Sequence, residues 1–390
     1  MRKLALDDNI LLNIEKPARY IGHEVNSVMK DKNAVDIRFA MCFPDVYEIG
    51  MSNLGMMILY NMFNQREDVW CERLFSPWPD LDKVMREKKI PLFALESQEP
   101  IRDFDFLGIT IGYEMCYTNI LQVLDLSGIP LKSADRGEDF PIVIGGGACA
   151  YNPEPLAPFF DMFYIGEGET VYDALFDAYK ANKKAGGSRR DFLLAAAKIP
   201  GIYVPSLYEV TYKEDGTIAS FAPTADGVPE KVQKQLIIDM EKEYRAVEAP
   251  VVPHIKATQD RVTLEIQRGC IRGCRFCQAG MIYRPTRERD VETLKESARI
   301  MLKNTGHEEI SLSSLSSSDY SQLKELVNFL IEEFHGKAVN ISLPSLRIDA
   351  FALDVMSKVQ DVKKSSLTFA PEAGSQRLRD VINKGLTEEV

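Results

Sequence analysis

Along the first half of the chain, apolar positions follow two rhythms: short unbroken runs, and longer stretches in which they return every three or four residues. The runs "VDIRFAMCF" (35–43), "FDFLGITIGY" (104–113), "FPIVIGGG" (140–147) and "FDMFYIGEGE" (160–169) predict strands, the last two leading into glycine turns. Interleaved with them, "SNLGMMILYNMFNQ" (52–65), "TNILQVLDLSG" (118–128) and "TVYDALFDAYKA" (170–181) predict helices. Apolar strands alternating with helices are what a parallel sheet covered on both faces requires. The expected fold class is α/β, beginning with a Rossmann-like, doubly wound parallel sheet.

The rhythm breaks at "NKKAGGSRR" (182–190), a flexible basic stretch that suggests a boundary. Beyond it, "GIYVPSLYEVTYKEDGTIASFAPT" (201–224) alternates around Asp215-Gly216, a β-hairpin signal. Four further strands are expected at 261–267, 308–316, 338–349 and 365–374, separated by helices at 291–306, 319–336 and 350–360. In the second of these helices, apolar residues at 323, 326, 327, 330, 331 and 334 share one face. The expected division is a polar lead-in at 1–34, a sheet domain at 35–185, a hairpin and connector at 186–258, and a second βα domain at 259–390. Four parallel strands cannot close a barrel and would leave an edge unpaired. Either the sheet is open by design or the second domain is a partial βα barrel truncated at its C-terminus, and the truncated barrel is the expected reading.

Composition narrows the class without deciding it. At 390 residues, 45% hydrophobic and 27% charged, the chain has the make-up of a soluble protein of two or three domains. No apolar run reaches the roughly eighteen residues of a membrane span. The start "MRKLALDDNILLNIEK" carries acids within its short apolar stretch, unlike a signal peptide. A cytoplasmic location follows, where the seven cysteines stay reduced. A net charge of −11 argues against a surface built wholly for nucleic acid, although a local contact stays open. One basic patch stands out: Arg261, Arg268, Arg272, Arg275, Arg284, Arg287 and Arg289, against Glu265, Glu288 and Asp290. It could support an anionic group, or meet a substrate phosphate or RNA.

That patch surrounds "EIQRGCIRGCRFCQAG" (265–280), in which Cys270, Cys274 and Cys277 are spaced CxxxCxxC with no fourth cysteine or histidine nearby. A structural zinc would need a fourth ligand from afar, such as His254 or His307. An iron–sulfur cubane fits better, because three thiolates leave one of its four irons open for chemistry. The spacing, with Phe276 just before the last cysteine, resembles the radical S-adenosylmethionine (SAM) superfamily, which carries it after the first strand of a βα barrel. The resemblance implies that these cysteines bind a [4Fe–4S] cluster whose free iron chelates SAM, and that reduction then yields a 5′-deoxyadenosyl radical acting on a substrate. It also implies SAM contacts from Phe276, from Ser314 or its neighbours Ser313 and Asp319 where relatives have Gly-Gly-Glu, from Arg347 to the carboxylate, and from Glu372 to the ribose. Arg347 and Glu372 read equally well as a structural ion pair. Gly269, Gly273 and Gly280 would let the loop wrap closely.

In the first domain, Asp45-Val-Tyr47-Glu-Ile-Gly50 resembles the Asp-x-His-x-x-Gly motif of cobalamin-binding domains, with Tyr47 where the cobalt-ligating histidine stands. The glycine turn "VIGGGACAYNPEP", with Gly145 and Gly146, resembles their later turns. The resemblance implies a cobalamin-type domain that binds the cofactor without a protein imidazole, or leaves it unbound. From about residue 15 the chain resembles a bacterial subfamily of cobalamin-binding-domain radical SAM proteins, including "KPARYIGHE" and "CRFCQAGMIYRPTRER". Such an enzyme implies an unknown substrate and a reductant such as flavodoxin or ferredoxin. Two alternatives stay open. One is an RNA-modifying methylthiotransferase with a second cluster on Cys42, Cys116 and Cys149, which all follow predicted strands. The other is a non-catalytic iron–sulfur or ligand-binding module.

Overall fold

Seven consecutive buried residues, Ile37–Phe43, form the strand β1 around which the first half of the chain is organised. The computed structural model describes residues 4–337, 339–344 and 370–387. The chain divides into two compact units, 1–237 with 251–259, and 238–250 with 260–390.

In the first unit, a one-turn helix α1 (Asp8–Leu11) precedes β1. A second one, α2 (Tyr47–Gly50), and the longer α3 (Leu54–Gln65) follow β1 and lead to β2 (Val69–Phe75). Then come α4 (Pro79–Lys88), β3 (Phe106–Thr110), α5 (Tyr117–Leu126), β4 (Ile142–Gly146), β5 (Met162–Tyr164), α6 (Tyr172–Lys184), α7 (Arg189–Ala196) and β6 (Ile202–Tyr203). The sheet order is β2-β1-β3-β4-β5-β6, parallel except for β6. Helices cover both faces. On one side Phe39 stacks on Phe106, and the pair meets Phe63 of α3, Phe176 of α6 and Phe192 of α7 edge-on. Ala40, Leu107 and Val143 pack with Ile10, Leu81, Met85, Ile120 and Val123 of α1, α4 and α5 on the other. The alternation of strand side chains puts neighbours such as Phe39 and Ala40 into opposite layers. Beyond β6, β7 (Tyr208–Tyr212) and β8 (Ile218–Pro223) form the expected hairpin around Asp215-Gly216.

The pattern of apolar runs foretold β1, β3, β4 and β5 but not β2 or α4. β2 reads "VWCERLF", and its charged pair argues against a buried strand. Both charges are nevertheless buried, because each has partners. Arg73, with a fully buried side chain, meets Glu24 and Glu96, each at 2.6 Å. The phenols of Tyr47 and Tyr60 donate to the same two carboxylates, each at 2.9 Å. Glu72 binds Arg38 across the sheet at 2.6 Å. Desolvating such charges is costly, and only this degree of pairing offsets it.

The structure also draws the divisions differently from the sequence. Leu6, Ile10, Ile14 and Tyr20 of the lead-in are in the first core. The stretch 182–190 is no boundary: α6 runs to Lys184, Ser188 and Asp191 form a capping box at the start of α7, and Arg189 binds Asp161 at 2.7 Å. Residues 186–237 belong to the first unit, and 238–250 to the second.

The second unit is wound in one direction. Strand β9 (Val262–Glu265) leads through β10 (Gln267–Arg268), the short helix α8 (Gln278–Ile282) and β11 (Arg287–Glu288) into α9 (Val291–Thr305). Then follow β12 (Glu309–Ser313), α10 (Leu323–Glu333) and β13 (Asn340–Ser342). The parallel order β13-β12-β9 adds each strand beside the previous one. That is how a βα barrel grows, whereas the first sheet reverses direction between β1 and β3. Asp290 caps α9 by accepting from Glu292 N, and Gly306 ends it in the left-handed region. Leu294, Ala298, Met301 and Leu302 of α9, with Leu326, Val327 and Leu330 of α10, form the core against this sheet. The expected helix at 350–360 and most of the strand at 365–374 lie outside the described residues. Residues 376–381 form a short helix capped by Ser375.

Candidate functional site

The cysteine loop leaves the end of β9, the position at which βα barrels build their active sites. Its base is closed by the antiparallel pair β10–β11. Gly269 has φ +84°, and a Cβ there would lie 2.6 Å from the Pro285 carbonyl oxygen and 2.7 Å from that of Tyr283. Only glycine fits. Cys270, Cys274 and Cys277 are partly exposed, whereas Cys42, Cys71, Cys116 and Cys149 are buried. Cys277 caps α8, its Sγ accepting from Gly280 N at 3.3 Å.

The residues between the cysteines are tied to two other parts of the second unit. Arg272 grips Asp319 with two nitrogens, at 2.9 and 2.5 Å. Asn383 Nδ2 donates to the Gly273 carbonyl at 2.9 Å. Arg275 N donates to the Ile382 carbonyl at 2.9 Å, and its guanidinium to the Val381 carbonyl. Ile271, Phe276 and Met281 of the same stretch are exposed apolar side chains. Among the described residues no three His, Cys, Asp or Glu side chains converge on one metal ion. A cubane asks for something wider, three thiols on three separate irons. The donor set suits it in kind: three partly exposed thiols on one loop that is pinned through its other residues.

The cofactor contacts expected from the sequence come out unevenly. Phe276 is exposed. Ser314 Oγ shares a hydrogen bond with Ser317 Oγ at 2.9 Å, and Asp319 is already engaged by Arg272 and by Ser316 Oγ. Glu372 has a left-handed backbone, φ +67°, and its carboxylate meets Lys384 at 3.1 Å. Arg347 lies outside the described residues. The basic patch is largely self-satisfied: Arg268 binds Glu265 at 3.0 Å, and Arg287 donates to the Tyr283 and Pro285 carbonyls. Asn383 and Asp319 as loop anchors were missed: Asn383 acts on a backbone carbonyl, and Asp319 pairs with an arginine 47 residues away, so neither leaves a spacing in the sequence.

In the first unit, the doubly wound sheet places its crevice outside the carboxyl ends of β1 and β3, where strand order reverses. Asp45 lies there, accepting from Tyr113 Oη at 2.6 Å and, with its other oxygen, from Val46 N at 2.7 Å. Tyr113 is 39% exposed, and the Asp45 bond, with some burial, pushes its phenol up to about 12. Gly146 is open: a Cβ there would meet nothing within 4 Å.

The other three positions aligned with the cobalamin motif turn inward. Tyr47 is 1% exposed, stacks edge-on against Phe75 and gives its hydroxyl to Glu24. Burial first, and then Glu24, push its phenol far up. A Cβ on Gly50 would strike Phe75, and one on Gly145 would strike Phe163 and Ile111. These residues serve the packing of the core. Tyr113, which the sequence reading passed over, is the aromatic side chain that stands at the crevice.

Comparison with known proteins agrees with both halves. Residues 264–390 match the Radical SAM superfamily model, and residues 55–205 match the model for Radical SAM proteins, N-terminal. The chain belongs to the radical SAM superfamily. An uncharacterized protein of Methanocaldococcus jannaschii is 29% identical over 350 residues, 90% of this chain and 63% of that protein. A protein of the same organism named "Putative methylthiotransferase" is 26% identical over 179 residues, 42% of this chain and 39% of that protein. The chain thus spans less than two thirds of the curated relatives it matches. Among solved structures, the cobalamin-dependent SAM radical enzyme OxsB, with aqua-cobalamin and SAM bound, superposes with a TM-score of 0.58. That match covers 100% of this chain and 52% of OxsB at 15% identity, a likeness of fold. Among the described residues no helix is long and apolar enough to cross a membrane.

Proposed function

We propose that this chain forms the cofactor-binding part of a cytoplasmic radical SAM enzyme, with a [4Fe–4S] cluster on Cys270, Cys274 and Cys277. The observation that carries the proposal is the cysteine loop itself: three partly exposed thiols after the first strand of a singly wound parallel sheet. When bound and reduced, the cluster supplies an electron for reductive cleavage of SAM. The chain's own residues hold and orient. The Arg272–Asp319 fork fixes one side of the loop, and Gly269 lets the backbone turn at its base. Phe276 and its apolar neighbours shield the open side from water. Glu372, whose charge Lys384 balances, and Ser314 stand among the groups proposed to meet SAM, together with Arg347. A reductant such as flavodoxin or ferredoxin and an unknown substrate complete the reaction.

Cobalamin is proposed for the first unit, at the crevice between β1 and β3, with Asp45 and Gly146 on its walls. The open switch point and the fold shared with OxsB support this reading. Tyr47, Gly50 and Gly145 would shape the site only through the core beneath it. The methylthiotransferase reading has one named relative in its favour, but its second cluster fits poorly. Cys42, Cys116 and Cys149 are buried, burial pushes each thiol up, and Cys116 Sγ donates to the Tyr113 carbonyl at 2.9 Å.

Anaerobic reconstitution separates these readings: one cubane gives about four irons per chain, and two give about eight. Replacing Cys270, Cys274 and Cys277 together by Ala is expected to abolish iron binding, and a full complement in that variant would sink the assignment. SAM cleavage by the reduced wild type separates an enzyme from a passive module.

A further inference from the structure

The contacts on either side of Cys274 come from one short piece of chain more than a hundred residues away. Gly273, just before it, has its carbonyl held by Asn383 Nδ2. Arg275, just after it, donates its backbone N–H to the Ile382 carbonyl and its guanidinium to the Val381 carbonyl. The gripping segment is itself well braced. Arg379, which is buried, donates to the Ala373 and Leu386 carbonyls, at 3.2 and 3.1 Å. Asn383 takes a left-handed backbone, φ +57°, which few residues other than Gly, Asn and Asp adopt easily. Its amide N–H is also spent, on the Asp380 carbonyl at 3.1 Å. The segment therefore presents fixed donors and acceptors.

We infer that residues 379–383 are a clasp that positions Cys274, with Asn383 and Arg275 as positioning residues for the cluster. The inference rests on the cluster assignment above. Holding both peptide groups that flank the middle ligand limits where its thiol can go, so less order remains to be imposed when iron arrives. By linkage, whatever stabilises the clasped loop must favour the cluster, and the cluster must in turn stabilise the clasp. Residues 379–383 thus become part of the cluster site without donating a ligand.

The test uses the full chain, reconstituted anaerobically with ferrous iron and sulfide. In the wild type, the cluster is expected to slow amide hydrogen exchange at 378–383 and at Arg275. Asn383→Gly keeps the left-handed backbone but removes the amide. Its iron should pass to a ferrous chelator about fivefold faster, the effect of one neutral hydrogen bond. Asn383→Asp, close in shape but unable to donate and negatively charged, should lose iron faster still. The EPR line shape of the reduced cluster should shift in both, while chemical unfolding of the first unit stays unchanged. Equal iron release from wild type and Asn383→Gly overturns the inference. So does, in the wild type alone, exchange at 378–383 that the cluster does not alter. A wild type that takes up no iron would instead overturn the cluster reading beneath it.

Discussion

The loop after β1 and the loop after β9 each leave the first strand of a parallel sheet, yet they use their atoms in opposite ways. After β1, the loop's own side chains add to the holding: beside backbone bonds such as Asn119 Nδ2 to the Pro44 carbonyl, Tyr47 donates to Glu24, and Glu48 binds Arg19 and Lys16, at 2.8 and 2.9 Å. After β9, backbone groups and arginines do the holding, through Asn383, Ile382 and Asp319. The thiols between them stay partly exposed. A loop fixed by its side chains has spent its chemistry on stability. A loop fixed through its backbone and its arginines can keep its thiols for a ligand.

The largest effect should come from breaking the side-chain network. Arg73→Met strands Glu24 and Glu96 as buried charges, which costs about 3–5 kcal/mol. Urea unfolding of the first unit should record that loss, while iron uptake by the second stays unchanged. A loss below about 1 kcal/mol would show that the network contributes little.

Gly269→Ala attacks the other loop at its base. The left-handed backbone and the clash with two carbonyls cost about 1–3 kcal/mol of local strain. The expected result is a chain that keeps its helical circular dichroism but takes up much less iron. Full iron uptake would mean that the loop is not set by its base.

A pair of tyrosine variants tests which aromatic side chain serves the crevice. Tyr47→Phe should lower stability by about 1 kcal/mol, one hydrogen bond, and leave hydroxocobalamin titration unchanged. Tyr113→Phe, at a half-exposed site, should scarcely alter stability but change the absorbance titration. The reverse pattern would put Tyr47 back at the ligand.

The smallest effect is acid sensitivity. Burial raises the Glu48 carboxyl, but hydrogen bonds from Arg19 and Lys16 more than offset this and hold it at about 2, against an ordinary 4.5. Glu24 is likewise held low: burial raises it, and Arg73 outweighs burial. A depressed folded-state pKa gives stability that is present above the unfolded value and lost as pH falls through the folded one. Stability of the first unit should therefore decline between about pH 4.5 and 2. Glu72, pushed up by burial, works in the opposite direction but above that window: its contribution grows as pH falls toward the ordinary 4.5 and is level below it. An unfolding free energy flat over that window would contradict the pairing.

Sequence pattern was enough wherever one strand or helix decides its own burial. The apolar runs at 35–43 and 140–147 and the helical faces at 291–306 and 319–336 became β1, β4, α9 and α10 with small shifts at their ends. The three-cysteine spacing was equally legible, because Cys270, Cys274 and Cys277 all lie on one loop. β2 was not, because Glu72 and Arg73 are buried only by virtue of partners at Glu24, Arg38 and Glu96. The seeming boundary at 182–190 failed for a related reason: glycines and charges that look like a linker are a capped turn between α6 and α7.

By itself, then, the sequence determined the class of fold, the direction of its hydrophobic faces and the three thiols that share one loop. Each depends on periodicity or on residues close together in the chain. Only the tertiary structure decided that Tyr47 faces the core while Tyr113 faces the crevice, and that Asn383 secures Gly273. Those outcomes depend on which polar groups meet across distant segments. Buried hydrogen-bonding groups must find partners wherever folding brings them, and no local pattern records where that is.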